Sequence, residues 1–317
     1  MIRLTTPEII AVQELCRRSL PERLNQHVSQ FVWEEDGRHR TLSFMLTWSE
    51  SHRPRVERLQ VRGYLNRWTI WRTDDDRQAT RDWEILRWLY GLGLPVPRVY
   101  AAGEDYVLTE HPAGSTLASL GQDRHKHITP HLERFAFVLA QLHRRSPPDA
   151  VRHTLPTIGV ADELARLSRL ARQCLDTELD EAMSELKVWL GKESQVSPLC
   201  VLCGEAIFVH ARVDAQGITL PCWQDTALGD PRWDVAHTIG WLRTHHAEDL
   251  SERFLNAYRA QSDTPLLDLD AWIALAAASN WALADQLRFH QPEHPRVAER
   301  STWIELTWRT LTRIKDA

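Results

Sequence analysis

The chain has 317 residues, 43% apolar and 26% charged, a balance that excludes disordered and fibrous classes and leaves material for a large buried core. Its formal charge of −5 is spread without a basic stripe or tail, so nucleic acid is not the expected partner. No apolar run reaches the roughly 20 residues of a membrane span, the first residues lack a signal-peptide pattern, and five cysteines suggest no disulfide framework, so a cytoplasmic protein is expected.

Thr5 stands three residues before Glu8, and apolar residues recur at helical spacing over residues 7–24, which predicts a capped opening helix. The period then shortens. Residues 28–33 and 41–48 alternate or run apolar around Gly37, predicting a hairpin, and a third strand is expected at 58–64. Trp83, Ile85, Leu86, Trp88 and Leu89 give residues 77–91 an amphipathic helical face that Gly91 and Gly93 stop. Two short strands fit 98–101 and 106–110. Beyond Gly114 the period is helical, except near residues 200–224, where a strand pair turning at Gln216–Gly217 is expected. That order predicts an α+β protein with a small strand-rich first part, residues 1–110, and a larger helical second part, residues 111–317, that includes the hairpin.

Three stretches in register carry a resemblance to a known family. Residues 81–89 followed by Gly93-Leu94-Pro95-Val96-Pro97-Arg98-Val99 form the first, and Tyr106 to Leu117, with the helix ending Ala140-Gln141-Leu142-His143, the second. The third is Gly229-Asp230-Pro231-Arg232-Trp233-Asp234-Val235-Ala236. Together they resemble the aminoglycoside phosphotransferase and choline kinase family, which implies a bilobal protein-kinase-like fold and ATP-dependent phosphoryl transfer.

In that family a catalytic loop reads His-Gly-Asp with Asn five residues later, and a second carboxylate precedes a tryptophan. The matching positions here are Cys203-Gly204-Glu205, then His210, then Cys222 before Trp223. Glu205 keeps a carboxylate but lengthens it by a methylene, and misplacement by about an ångström costs on the order of a hundredfold. An imidazole at 210 and a thiol at 222 are poor partners for magnesium, which requires hard oxygen ligands. The resemblance makes Arg62, with Asp82 or Glu84 as helix partner, and the hinge residues Glu110 and His111 the nucleotide-binding candidates. The turn Glu34-Glu35-Asp36-Gly37 would repel a triphosphate. Asp230 and Asp234 are intact, the latter expected to brace the catalytic loop.

The expectation is therefore a kinase-fold protein with degenerate catalytic and magnesium-binding motifs, a pseudokinase that binds a small-molecule ligand or a partner protein and needs no cofactor. The alternative is a divergent phosphotransferase with Glu205 as base, using ATP and magnesium through Asp225 or Asp230. Three further features carry expectations of their own. Cys200, Cys203, His210 and Cys222 would make a zinc site only with a local knuckle, because strand residues three apart face opposite sides. His125, His127 and His131 are expected in a solvated loop before a helix. Trp272, Trp281, Trp303 and Trp308 lie where the family builds its acceptor pocket, and are otherwise core.

Overall fold

The computed structural model describes residues 6–35, 39–51, 53–64, 78–103, 106–123, 125–191, 199–204, 207–221, 223, 225–245 and 247–316. The chain opens with α1 (Thr6–Ser19), β1 (Leu24–Glu35), β2 (His39–Glu50), β3 (Arg53–Tyr64) and α2 (Gln78–Gly91). Next come β4 (Val99–Ala102), β5 (Tyr106–Glu110), β6 (Ser115–Thr116), α3 (Leu117–Asp123), α4 (His125–His143), α5 (Asp149–Arg152), α6 (Val160–Cys174) and α7 (Thr177–Leu190). The remainder is β7 (Cys200–Leu202), α8 (Ile207–His210), β8 (Arg212–Asp214), β9 (Gly217–Thr219), β10 (Ala227–Gly229), α9 (Arg232–Thr244), α10 (Glu248–Arg259), α11 (Leu269–His290), α12 (Pro295–Ala298) and α13 (Arg300–Asp316).

Two compact units result. The first gathers residues 1–116, 149–154 and 210–224; the second gathers 117–148, 155–209 and 225–317. The first is built on an antiparallel sheet in the order β1-β2-β3-β5-β4. Leu42, Phe44 and Leu46 alternate along β2 and bury one face with Leu59, Leu108 and Cys16 of α1, as a period of two requires. The opening helix ends at Ser19, five residues before the expected limit, because Pro21 cannot continue it. The strands of the first hairpin are longer than their apolar cores suggested, 12 residues each, since polar positions on the ladder keep their backbone pairs.

The second unit is helical around α11, whose residues 271–284 are all buried. Its alanine-rich run favours helix strongly, and its apolar surface on all sides is the mark of a central helix. The loop expected at residues 125–131 is instead the opening of α4, which carries Pro130 within its first turns; the side chains of His125 and His127 lie outside the described residues.

The strand pair expected near 200–224 is divided between the two units. β8 and β9 form a hairpin whose turn is fixed by Asp214 Oδ1, which accepts from Gln216 N at 2.7 Å and Gly217 N at 3.1 Å, so the turn lies one residue earlier than expected. β6 adds to this pair. β7, by contrast, belongs to the second unit and pairs with β10, placing Leu202 opposite Ala227. No helix among the described residues is long and apolar enough to cross a membrane.

Candidate functional site

Asp234 occupies the first turn of α9 with its side chain wholly buried, and it ties down the end of β7. Its Oδ2 accepts from Cys203 N at 2.7 Å and its Oδ1 from Gly204 N at 3.1 Å. A carboxylate held by two backbone N–H groups compensates the cost of burying its charge. His143, the last residue of α4, adds a third contact: Nε2 lies 3.1 Å from Asp234 Oδ2, while Nδ1 lies 2.7 Å from the Tyr258 hydroxyl. The neutral tautomer that satisfies every partner donates from Nε2 to the carboxylate and accepts the tyrosine proton at Nδ1. Burial pushes the Tyr258 phenol above its ordinary range, so it remains a donor. His143 was visible in the sequence as part of a motif; Tyr258 carried no signal.

Gly204 has φ +94°, and a Cβ added there would stand 2.6 Å from that of Asp225, so this loop position admits only glycine. Cys203 is buried, and burial followed by the Asp234 charge raises its thiol far above the usual range; Cys200, donating to Gly229 O at 3.5 Å, is raised chiefly by burial. Both behave as small buried apolar groups. Among the described residues no three His, Cys, Asp or Glu side chains gather as a metal site. Glu205 and Cys222 lie outside the described residues. His210 ends α8 and is half-buried.

Asp230 is fully engaged. Its Oδ1 accepts from Arg232 N at 2.9 Å and Nε at 3.0 Å, and its Oδ2 from Nη2 at 2.8 Å. Arg232 is buried, donates from Nη1 to Leu267 O at 2.9 Å, and lies 4.7 Å over the Trp272 ring. This planar fork uses both carboxylate oxygens. The carboxylate at 230 is therefore already paired with Arg232. The pairing of a residue with one two positions on is readable in sequence only once its burial is known.

In the first unit, Arg62 lies on β3 between Thr41 and Val107, and its Nη1 donates to Pro221 O at 3.4 Å. Asp82 is buried and Glu84 half-buried on α2. At the hinge, Glu110 is exposed and its carboxylate accepts from Arg98 N at 3.5 Å. His111 donates its backbone N–H to Arg58 O at 3.0 Å. Burial, then the positive charges of Arg58 and Arg212, hold its imidazole down at about 4. A base whose folded pKa lies below its free value of 6.5 takes up protons on unfolding. Its stabilising contribution is thus whole above pH 6.5 and is lost as the pH falls toward 4. Denaturant titrations should show that His111→Phe loses less stability than wild type over that interval.

Two of the four C-terminal tryptophans are held by acidic hydrogen-bond partners, and three are buried. Trp272, Trp281 and Trp303 are buried. Trp281 Nε1 donates to Asp176 at 3.1 Å, and Trp308 Nε1 to Glu178 at 2.8 Å. One face of Trp272 already carries the Arg232 cation, so this ring is committed to packing.

The model of the phosphotransferase enzyme family, APH, matches residues 67–275. No curated protein matches the chain in sequence. Among solved structures, a choline kinase from Cryptosporidium parvum superposes with a TM-score of 0.69 at 13% identity, covering 97% of this chain and 96% of its own. Choline kinase LicA from Streptococcus pneumoniae gives 0.67 at 11%, covering 97% and 100%. A macrolide 2'-phosphotransferase type I gives 0.64 at 18%, covering 96% and 99%. At such identities the likeness concerns the fold.

Proposed function

The chain belongs to the phosphotransferase enzyme family, and from that premise we propose that it is a kinase-fold protein that has lost magnesium-dependent transfer and retains a binding role. The observation that carries this reading is the state of the oxygen ligands. His210 and Cys222 stand where the family supplies hard oxygens, and Asp230 has both oxygens bound by Arg232. Loss of the metal removes several kcal/mol of charge stabilisation, and loss of a well-placed base typically removes another factor of roughly 10²–10⁴. Either loss slows transfer, and together they place it out of reach of ordinary turnover.

The scaffold is nonetheless maintained. The Asp234 brace holds the loop that leads to position 205, an investment in shape that suits recognition as well as chemistry. The ligand is a small organic molecule of the kind the similar kinases handle, or a partner protein.

A second reading is favoured by one contact. The backbone and Cβ of Asp225 stand directly against Gly204, so an acidic residue adjoins the loop, and a divergent transferase would use Glu205 as base with Asp225 toward the metal. One experiment separates the two. With ATP and magnesium, over a panel of hydroxyl-bearing acceptors, the first reading expects neither turnover nor a thermal shift. Phosphate release that rises with magnesium and vanishes in Glu205→Gln would establish the second.

A further inference from the structure

Within the second unit, α4 and α10 are locked together along their buried sides. The rings of Phe135 and Phe254 stack with centroids 6.0 Å apart, and His143 Nδ1 meets the Tyr258 hydroxyl at 2.7 Å. On the outer side of the same seam, Glu133 and Phe137 share a face of α4, and Arg253, Asn256 and Ala257 share a face of α10 that Ala260 continues just past its end. Positions 257 and 260 are alanines, whose methyl groups are too small to fill the space between two helices, and a groove of about 440 Å³ results. None of these residues belongs to the motif stretches at 81–99, 106–117, 140–143 and 229–236.

The two walls of the groove carry opposite charges. Glu133 stands on the α4 wall and Arg253 on the α10 wall, both exposed, and they are too far apart to pair. Among the described residues neither forms an ion pair or a side-chain hydrogen bond with any third residue, and the Asn256 amide beside Arg253 is equally uncommitted. Between the walls lies Phe137, half-buried, with the Arg134 guanidinium 5.4 Å from its ring centroid. A ring that already faces one cation is better placed to receive an apolar group than a second cation. The volume lies in the range of small-molecule sites. A simple anion would meet Glu133 unpaired, and a simple cation would meet Arg253 unpaired. Only a molecule with both charges satisfies both walls.

We propose that this groove binds a free zwitterionic amino acid with an apolar side chain. Its ammonium meets Glu133, its carboxylate meets Arg253 and Asn256, and its side chain packs on Phe137 and the two alanines. The site is additional to the one braced by Asp234 and does not depend on the loss of transfer.

Calorimetric titration of the full chain with L-phenylalanine, 3-phenylpropionate and phenethylamine tests this, since the second lacks the ammonium and the third the carboxylate. L-phenylalanine should bind saturably, and each analogue at least about tenfold more weakly, the scale of one charge-assisted contact. Glu133→Gln should cost L-phenylalanine roughly tenfold and leave 3-phenylpropionate unchanged; Arg253→Gln should cost it a similar factor and leave phenethylamine unchanged. Ala260→Leu fills the groove and should remove binding of all three, with the thermal midpoint of wild type because the position is exposed. No saturation by L-phenylalanine below about 10 mM overturns the proposal. So do equal affinities for the three compounds, or variants that weaken all three alike. Self-association that Ala260→Leu abolishes, without amino-acid binding, would make a second copy of the chain the occupant and overturn it as well. Phosphate release with ATP and magnesium reports on transfer separately, so the two readings fail independently.

Discussion

Asp234→Ala should lower the midpoint of thermal unfolding by roughly 10 °C, the effect of about 3–5 kcal/mol in a protein of this size. The variant strands two buried backbone donors, Cys203 N and Gly204 N, and also the imidazole of His143. Each unsatisfied buried group costs about 1–3 kcal/mol. Asp234→Asn should fall between, since one amide oxygen can accept from one N–H while the amide nitrogen faces a second donor. His143→Ala should cost less than Asp234→Ala, because the two backbone bonds survive. Scanning calorimetry of the three variants gives the ranking, and an Asp234→Ala protein as stable as wild type would show that the brace carries no load.

Arg232→Met is the second large effect. It removes the guanidinium from Asp230, from Leu267 O and from the Trp272 ring, and leaves a carboxylate that is largely buried without its cation. Breaking a buried pair from one side typically costs about 3–5 kcal/mol. Removing both partners costs less than the two losses summed, because no lone charge remains. Denaturant unfolding of Arg232→Met, Asp230→Asn and the double variant should therefore show a coupling of at least about 1 kcal/mol. Additivity would mean that the fork is a crystal-like ornament with no energetic weight.

Much of the architecture could be read from spacing. The alternation in residues 41–48 and the helical face of residues 77–91 appear as β2 and α2, because each periodicity follows from the geometry of the element that buries it. The β8–β9 hairpin was legible through its Gly217 and displaced by one residue through the Asp214 side chain, which captures two N–H groups. The pairing of β7 with β10 was not legible. Strands of three residues, all buried, have no alternation to reveal a face, and their register is set by contacts across more than twenty residues of intervening chain.

The candidate site divides along the same line. Asp234 and its loop were recognisable because a motif carries them, and the structure supplies their hydrogen bonds. Arg232 belongs to the same motif, yet its grip on Asp230 depends on burial that residue type alone does not announce, since arginine is ordinarily a surface residue. Tyr258 enters from α10, far along the chain, and its contact with His143 belongs to tertiary packing only.

The interleaving of the two units also bears on how the chain matures at the ribosome. The small sheet β6-β8-β9 draws its first strand from residues 115–116 and its others from residues 212–219, so its partners are made some hundred residues apart. A nascent chain that has emerged only to residue 116 would present β6 with an open edge, awaiting synthesis of the hairpin. The first unit therefore cannot be completed until residue 224 has been made, by which point the second unit's first two segments have already been synthesised.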